Sequence, residues 1–246
     1  MLETTKMIKP QAERGNVLFL ILIAVALFAA LSYAVTQSSR SGGGDANNET
    51  NLINSAQVTQ YPSSVRTAII RMMVSNSIDP GELEFNAPSD FDDCTGAPTS
   101  YSACVFHPGG GGATFVRGTS DVSAAPQNEP QEWIFNGENE VALVGTTGGG
   151  NSVTPTTADI IAFLPFVKQS VCNRINEELG IGSTPTETAD IDVDTKMGAG
   201  GGDYTPGING GGGTIGESPA QALNGQAFGC FQVGTDYFYY HVLIEQ

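Results

Sequence analysis

Hydrophobic and polar positions are spread unevenly along the chain. Val17 to Val35 is an uncharged apolar run of 19 residues, and every later stretch mixes apolar with polar positions. As an α-helix this run is about 28 Å long, close to the ~30 Å hydrocarbon core of a bilayer. No face of it is polar, which argues against an amphipathic helix of a soluble domain. Ser41-Gly42-Gly43-Gly44-Asp45 is expected to break the helix and to make residues 37–48 a flexible joint. Asn51 to Val74 predicts further helix interrupted at Pro62, with Val65, Ile69, Met72 and Met73 approximating one apolar face.

From Asp79 to Thr154 the pattern turns to strands and loops. Trp133-Ile134-Phe135 and Val141-Ala142-Leu143-Val144 flank Asn136-Gly137, a hairpin signal because both turn residues tolerate positive φ. Ile160, Ile161, Phe163, Leu164, Val167, Val171 and Ile175 predict a helix capped at Thr157 or Asp159 and ended by Gly180. Pro165 would kink that helix or mark its first turn, and Cys172 lies on it. Phe228, Cys230, Phe231 and Val233, then Tyr237 to Ile244, predict two strands around a Gly234-Thr235-Asp236 turn. The fold expected is α+β: a leader (1–15), an apolar helix (16–36), the joint, and a disulfide-pinned head (49–246).

The leader sets Lys6, Lys9 and Arg14 against Glu3 and Glu13. Positive charge beside an apolar run keeps that end in the cytoplasm, so the chain beyond Val35 is expected to lie outside it. Three fates fit the run. They are an uncleaved anchor, a secretory signal cut after Ala34 in Ser32-Tyr33-Ala34, and a cut before the run, after Gly15.

A basic leader, Gly15 and then an unbroken apolar helix resemble the class III signal of type IV pilins and type II secretion pseudopilins, over about residues 13–40. The resemblance implies cleavage after Gly15 on the cytoplasmic side and methylation of the new N-terminus, Asn16. It also implies packing of the helix that begins Val17, Leu18, Phe19, Leu20, Ile21, Leu22, Ile23 with copies of itself or of related subunits. Leu20 stands at the fifth mature position, where most major pilins have Glu, and Asn16 stands where Phe or Met is common. Loss of that acid resembles the minor subunits at filament tips. The location implied is the inner membrane, single-pass with the head outside the cytoplasm, or an extracellular filament.

Charge changes the picture for the head. After Arg40 there are six basic and 24 acidic residues, a net of −18. Such a surface repels phosphates and excludes nucleic-acid binding, and it argues against docking on anionic lipid. Its ordinary meaning is solubility; a cation or a basic partner is the functional one. Four cysteines in an exported domain suggest disulfides. Of the three possible pairings, Cys94–Cys104 and Cys172–Cys230 are preferred, contributing roughly 3 and 4 kcal/mol by loop closure. Cys-x-x-Cys spacing is absent and the only histidines are His107 and His241, which disfavours zinc.

Asp190, Asp192 and Asp194 alternate with Ile191 and Val193, which on a strand would put three carboxylates on one side. With Asp203 returned by the following glycines they form a candidate calcium site; a solvated charged edge strand is the alternative. Asp90, Asp92 and Asp93 form a second acidic group beside Cys94, with a capped turn as its ordinary reading. Glycine clusters at 42–44, 109–112, 148–150, 200–202 and 210–213 lack the context of a phosphate loop and are expected to be surface loops. No Gly-x-Ser-x-Gly elbow occurs. Tyr237 to Tyr240 suit sugar stacking, though aromatic strands are more often core. The function that the resemblance implies is a non-enzymatic structural subunit of a pilus-like or pseudopilus filament. A membrane-anchored calcium- or glycan-binding module that does not polymerise is the alternative, and a secreted hydrolase the third.

Overall fold

The computed structural model describes residues 14–124, 132–145, 153–154, 156–187, 190–198, 204–205, 208 and 210–246, without the side chains of residues 14–16, 37–46 and 204–205. Two units are distinguished, Met1–Glu49 and Thr50–Gln246. Helix α1, Arg14–Asn76, has residues in both. It is not broken at Gly42–Gly44, contrary to the expected joint. Three glycines cost a helix about 3 kcal/mol relative to alanine. Ending it and nucleating another costs about 4 kcal/mol for a nucleation parameter near 10⁻³, so propagation wins. Pro62 is likewise inside α1, and buried. Val58, Val65, Ala68, Ile69 and Met72 are all buried on the helix face that meets the head core, and this packing outweighs the roughly 3 kcal/mol penalty of an internal proline.

The head is built on a four-stranded antiparallel sheet in the order β1–β3–β8–β7. These strands are β1 (Ile134–Asn136), β3 (Ile160–Leu164), β7 (Phe228–Val233) and β8 (Asp236–Ile244). Alternation along the two central strands serves two cores. Ile160, Ala162, Leu164, Tyr239 and Leu243 join α1 and helix α2 (Gln169–Glu178). Ile161, Phe163, Tyr240 and Val242 join Phe231, Phe238, Val141, Ile215 and Leu223 on the other face. Two short parallel pairs complete the head: β2 (Glu140–Val141) with β6 (Thr214–Ile215), and β4 (Lys196–Met197) with β5 (Tyr204–Thr205). The architecture is thus mixed helix and sheet, with an apolar N-terminal helix and two disulfides.

Three expected elements are corrected. Ile160–Leu164 is a strand, because all five residues are buried between the two cores and a short unbroken apolar run has no period to favour helix. The helix starts only after Pro165, at Gln169, and ends at Gly180, whose φ of +79° suits a left-handed cap. The Asn136-Gly137 hairpin does not form. Neither residue takes positive φ, β1 pairs with β3, and β2 pairs with β6. Asn136 instead donates through Nδ2 to Asp192 O at 3.0 Å, and Gly137 lies against Ile208. Residues 190–194 do not form a strand. The 109–112 glycines are not a loose loop: Gly111 packs between Val105 O and Met72, and Arg71 donates to Gly111 O.

Cys94–Cys104 and Cys172–Cys230 are the disulfides. The second joins α2 to β7 and closes 58 residues. Replacing both of its cysteines by alanine is expected to lower unfolding free energy by about 4 kcal/mol, against about 3 kcal/mol for Cys94 and Cys104. Urea unfolding of the two double variants checks the order.

Candidate functional site

Among the described residues the longest exposed apolar stretch is the start of α1. Val17–Thr36, 20 residues, is long and apolar enough to cross a membrane, and none of it is buried. Leu18 is 69 % and Phe28 73 % exposed, and the apolar side chains surround the helix. An exposed apolar surface of this extent suits a segment that enters lipid. In this unit Val17, Leu18, Phe19, Leu20, Ile21, Leu22 and Ile23 are all exposed. Gly15 and Asn16 lie in the first turn of α1. An apolar helix of this kind serves as an anchor or a signal, and two disulfides suit a head outside the cytoplasm.

Of the acidic candidates, Asp192 is engaged with backbone. The carboxylate of Asp192 accepts hydrogen bonds from the N–H of Asp194 at 3.1 Å, the N–H of Thr195 at 2.9 Å and Thr195 Oγ1 at 2.8 Å. This turn, with Ile191 buried, replaces the expected strand and removes the shared face for Asp190, Asp192 and Asp194. Asp203 lies outside the described residues. Asp90, Asp92 and Asp93 sit in a 3₁₀ segment, Pro88–Asp93, where Asp90 accepts from Ser89 Oγ at 3.0 Å. Among the described residues the His, Cys, Asp and Glu atoms that converge closely enough for a metal are those of Glu84, Cys94 and Cys104. They do not fit one: the sulfurs are bonded to each other, and Glu84 accepts from the N–H and Oγ1 of Thr95.

His107 lies in a loop, stacked on Tyr101 with ring centroids 3.7 Å apart, and its Nδ1 accepts from Gly109 N–H at 3.0 Å. His241 on β8 is buried beside Phe228, with Nδ1 2.9 Å from Tyr239 Oη. Burial, and then the nearby Arg66 guanidinium, pull its pKa from 6.5 down to about 4.

Sequence reasoning missed the head's buried polar centre. Asn139 is fully buried. Its Nδ2 donates to Asp192 O at 2.6 Å and to Asn136 Oδ1 at 3.3 Å. Its Oδ1 accepts from Asp192 N–H at 2.8 Å and Gly213 N–H at 3.2 Å. Asp159, expected as a helix cap, is fully buried instead. It accepts from Gln246 N–H at 3.0 Å and Val141 N–H at 2.9 Å, so one carboxylate holds the C-terminal segment and β2. Burial, with Glu140 and Glu245 nearby, raises its pKa to about 7 against the opposing pull of those two N–H bonds. An asparagine or aspartate between short strands carries no local sign of such a role.

In comparisons with known proteins, no family model matches the chain. No curated protein and no solved structure matches it either.

Proposed function

We propose that the chain is a structural subunit, of the minor type, in a type IV pilus-like or pseudopilus filament. It is first held in the membrane by its N-terminal helix and then assembled through that helix. The observation that carries this reading is the wholly exposed apolar stretch Val17–Thr36, placed directly after a basic leader and Gly15.

Apolar helices gain nothing by leaving lipid for one another except closer packing, so small residues decide where they meet. Ala26, Ala30 and Ala34 recur every four residues and therefore share one stripe of α1. That stripe is the face on which neighbouring copies, or related subunits, pack. Leu20 leaves no acid to pair with a neighbour's N-terminus, so such a subunit joins by apolar packing alone.

Mass spectrometry of the native N-terminus tests the reading. A chain beginning at methylated Asn16 is the expected result. A chain beginning at Met1 would leave an anchored binding module that does not polymerise, and one beginning at Val35 a secreted domain.

A further inference from the structure

An open cleft of ≈ 230 Å³ lies on the head between α2, the loop after it and the β7–β8 hairpin. Its volume is below the ~300–1,000 Å³ of pockets that take drug-sized ligands, so its occupant is about the size of a single ring. Asn173 and Glu177 of α2, Ser183 and Thr184 of the loop after it, Gln232 of β7 and Tyr237 of β8 line it. Among the described residues Glu177 is the one charged group in the lining, and Arg174 lies 3.6 Å from it. With no cation of its own the cleft disfavours anions, and its amides and hydroxyls disfavour an apolar guest.

What remains is a mixture of donors and acceptors on short side chains, beside one aromatic ring. Among the described residues Asn173 Nδ2, Ser183 Oγ and Tyr237 Oη have no protein partner, so their hydrogen-bonding capacity is left for solvent or a ligand. Tyr239 and Tyr240 are fully buried; of the aromatic cluster on this strand, half-buried Tyr237 is the one that reaches the cleft.

The walls are also fixed in advance. Cys172–Cys230 links α2 to β7, and Asn176 repeats the link through bonds of 3.0 and 2.9 Å with the backbone of Cys230. Thr184 Oγ1 donates to Asn173 Oδ1 at 2.8 Å and closes the loop on the helix. Gln232 N–H donates to Pro185 O at 2.8 Å and closes the loop on the sheet. A site that need not be ordered on binding loses less affinity to entropy.

We propose that this cleft binds one neutral sugar ring, either a free sugar or the terminal residue of a glycan. Vicinal hydroxyls, each a donor and an acceptor, meet the amides and hydroxyls of the walls, and the apolar face of the ring lies on Tyr237. At ordinary ligand efficiency a single hexose binds with a Kd on the order of 1–10 mM. The inference does not depend on whether the chain polymerises.

The test is saturation-transfer NMR on the full chain in a phosphocholine detergent, since alkyl glycosides would compete. Methyl glycosides of glucose, galactose, mannose and N-acetylglucosamine are titrated, with N-acetylneuraminic acid as the anionic comparison. The expected result is saturable binding of at least one neutral glycoside and at least tenfold weaker binding of the acid. Asn173→Leu, and separately Ser183→Trp at an exposed loop position, should weaken binding tenfold or more. The tryptophan variant fills the cleft without touching the core, so the test survives if the first variant misfolds. A trisaccharide that binds tenfold tighter than its terminal ring identifies a glycan as the source, and equal affinity a free sugar. Absence of saturable binding by every neutral glycoside, or binding unchanged in the tryptophan variant, would overturn the proposal.

Discussion

Replacing Asn139 by alanine is expected to lower the unfolding free energy of the head by about 3–5 kcal/mol. The side chain is fully buried and makes four hydrogen bonds. Its loss strands the N–H groups of Asp192 and Gly213, and each buried unsatisfied group costs about 1–3 kcal/mol. Asp192 O keeps its bond from Asn136 Nδ2, so it adds little. Asn136→Ala should therefore cost less, since Asp192 O retains Asn139 as a donor. Against a typical total stability of about 5–15 kcal/mol, the Asn139 change takes a large share. Urea unfolding followed by the fluorescence of Trp133, the single tryptophan, measures it. A loss below about 1 kcal/mol would show that the network is not holding β2, β6 and the 190–195 turn together.

Stability between pH 4 and 7 is expected to reflect two buried groups of opposite sign. Asp159 is raised from 3.8 to about 7, chiefly by burial, so the native state holds its proton more tightly than the unfolded chain. That contribution is present below about pH 4 and is lost as pH rises through 7, roughly 4 kcal/mol for a difference of about three units. His241 is lowered from 6.5 to about 4, again chiefly by burial and then by Arg66. It binds its proton less tightly when folded. Its contribution is present above pH 6.5 and is lost as pH falls toward 4, roughly 3 kcal/mol by the same conversion.

The charges facing these groups are Glu140 and Glu245 for Asp159, and Arg66 for His241. Arg66 is itself paired with Glu245 at 3.1 Å. The two slopes nearly cancel from about pH 4 to 6.5 in the unmodified head. His241→Gln should expose the Asp159 slope, with stability falling as pH rises. Asp159→Asn should expose the histidine slope, with stability falling on acidification. Each substitution also shifts stability at all pH values, so the readout is the slope of unfolding free energy against pH. Profiles that parallel the unmodified protein in both variants would show that these two groups do not set the pH dependence.

The sequence by itself determined the parts of this protein that rest on near neighbours along the chain. Nineteen uncharged residues in a row, all but Ser32 and Tyr33 wholly apolar, leave a helix no polar face, so the nature of Val17–Val35 was legible at once. Gly180 stops α2 through its own φ, and a Gly-Thr turn between aromatic runs defines β7 and β8. Short loop closure favoured Cys94 with Cys104, which is the pairing in the structure.

Tertiary structure decided the rest. Ile160–Leu164 became a strand because β1 and β8 supply hydrogen-bond partners on its two edges and a core lies on each face. Helix α1 passes through Pro62 because buried contacts on its inner face outweigh the local penalty. Asp192, expected on a strand, sits in a turn whose backbone its carboxylate accepts from. Asn139 became the centre of the polar network through partners 53 and 74 residues away. The cleft beside α2 likewise joins side chains from four separate segments. A buried polar group is acceptable only where distant chain supplies its partners, and nothing in its immediate sequence encodes where those partners come from.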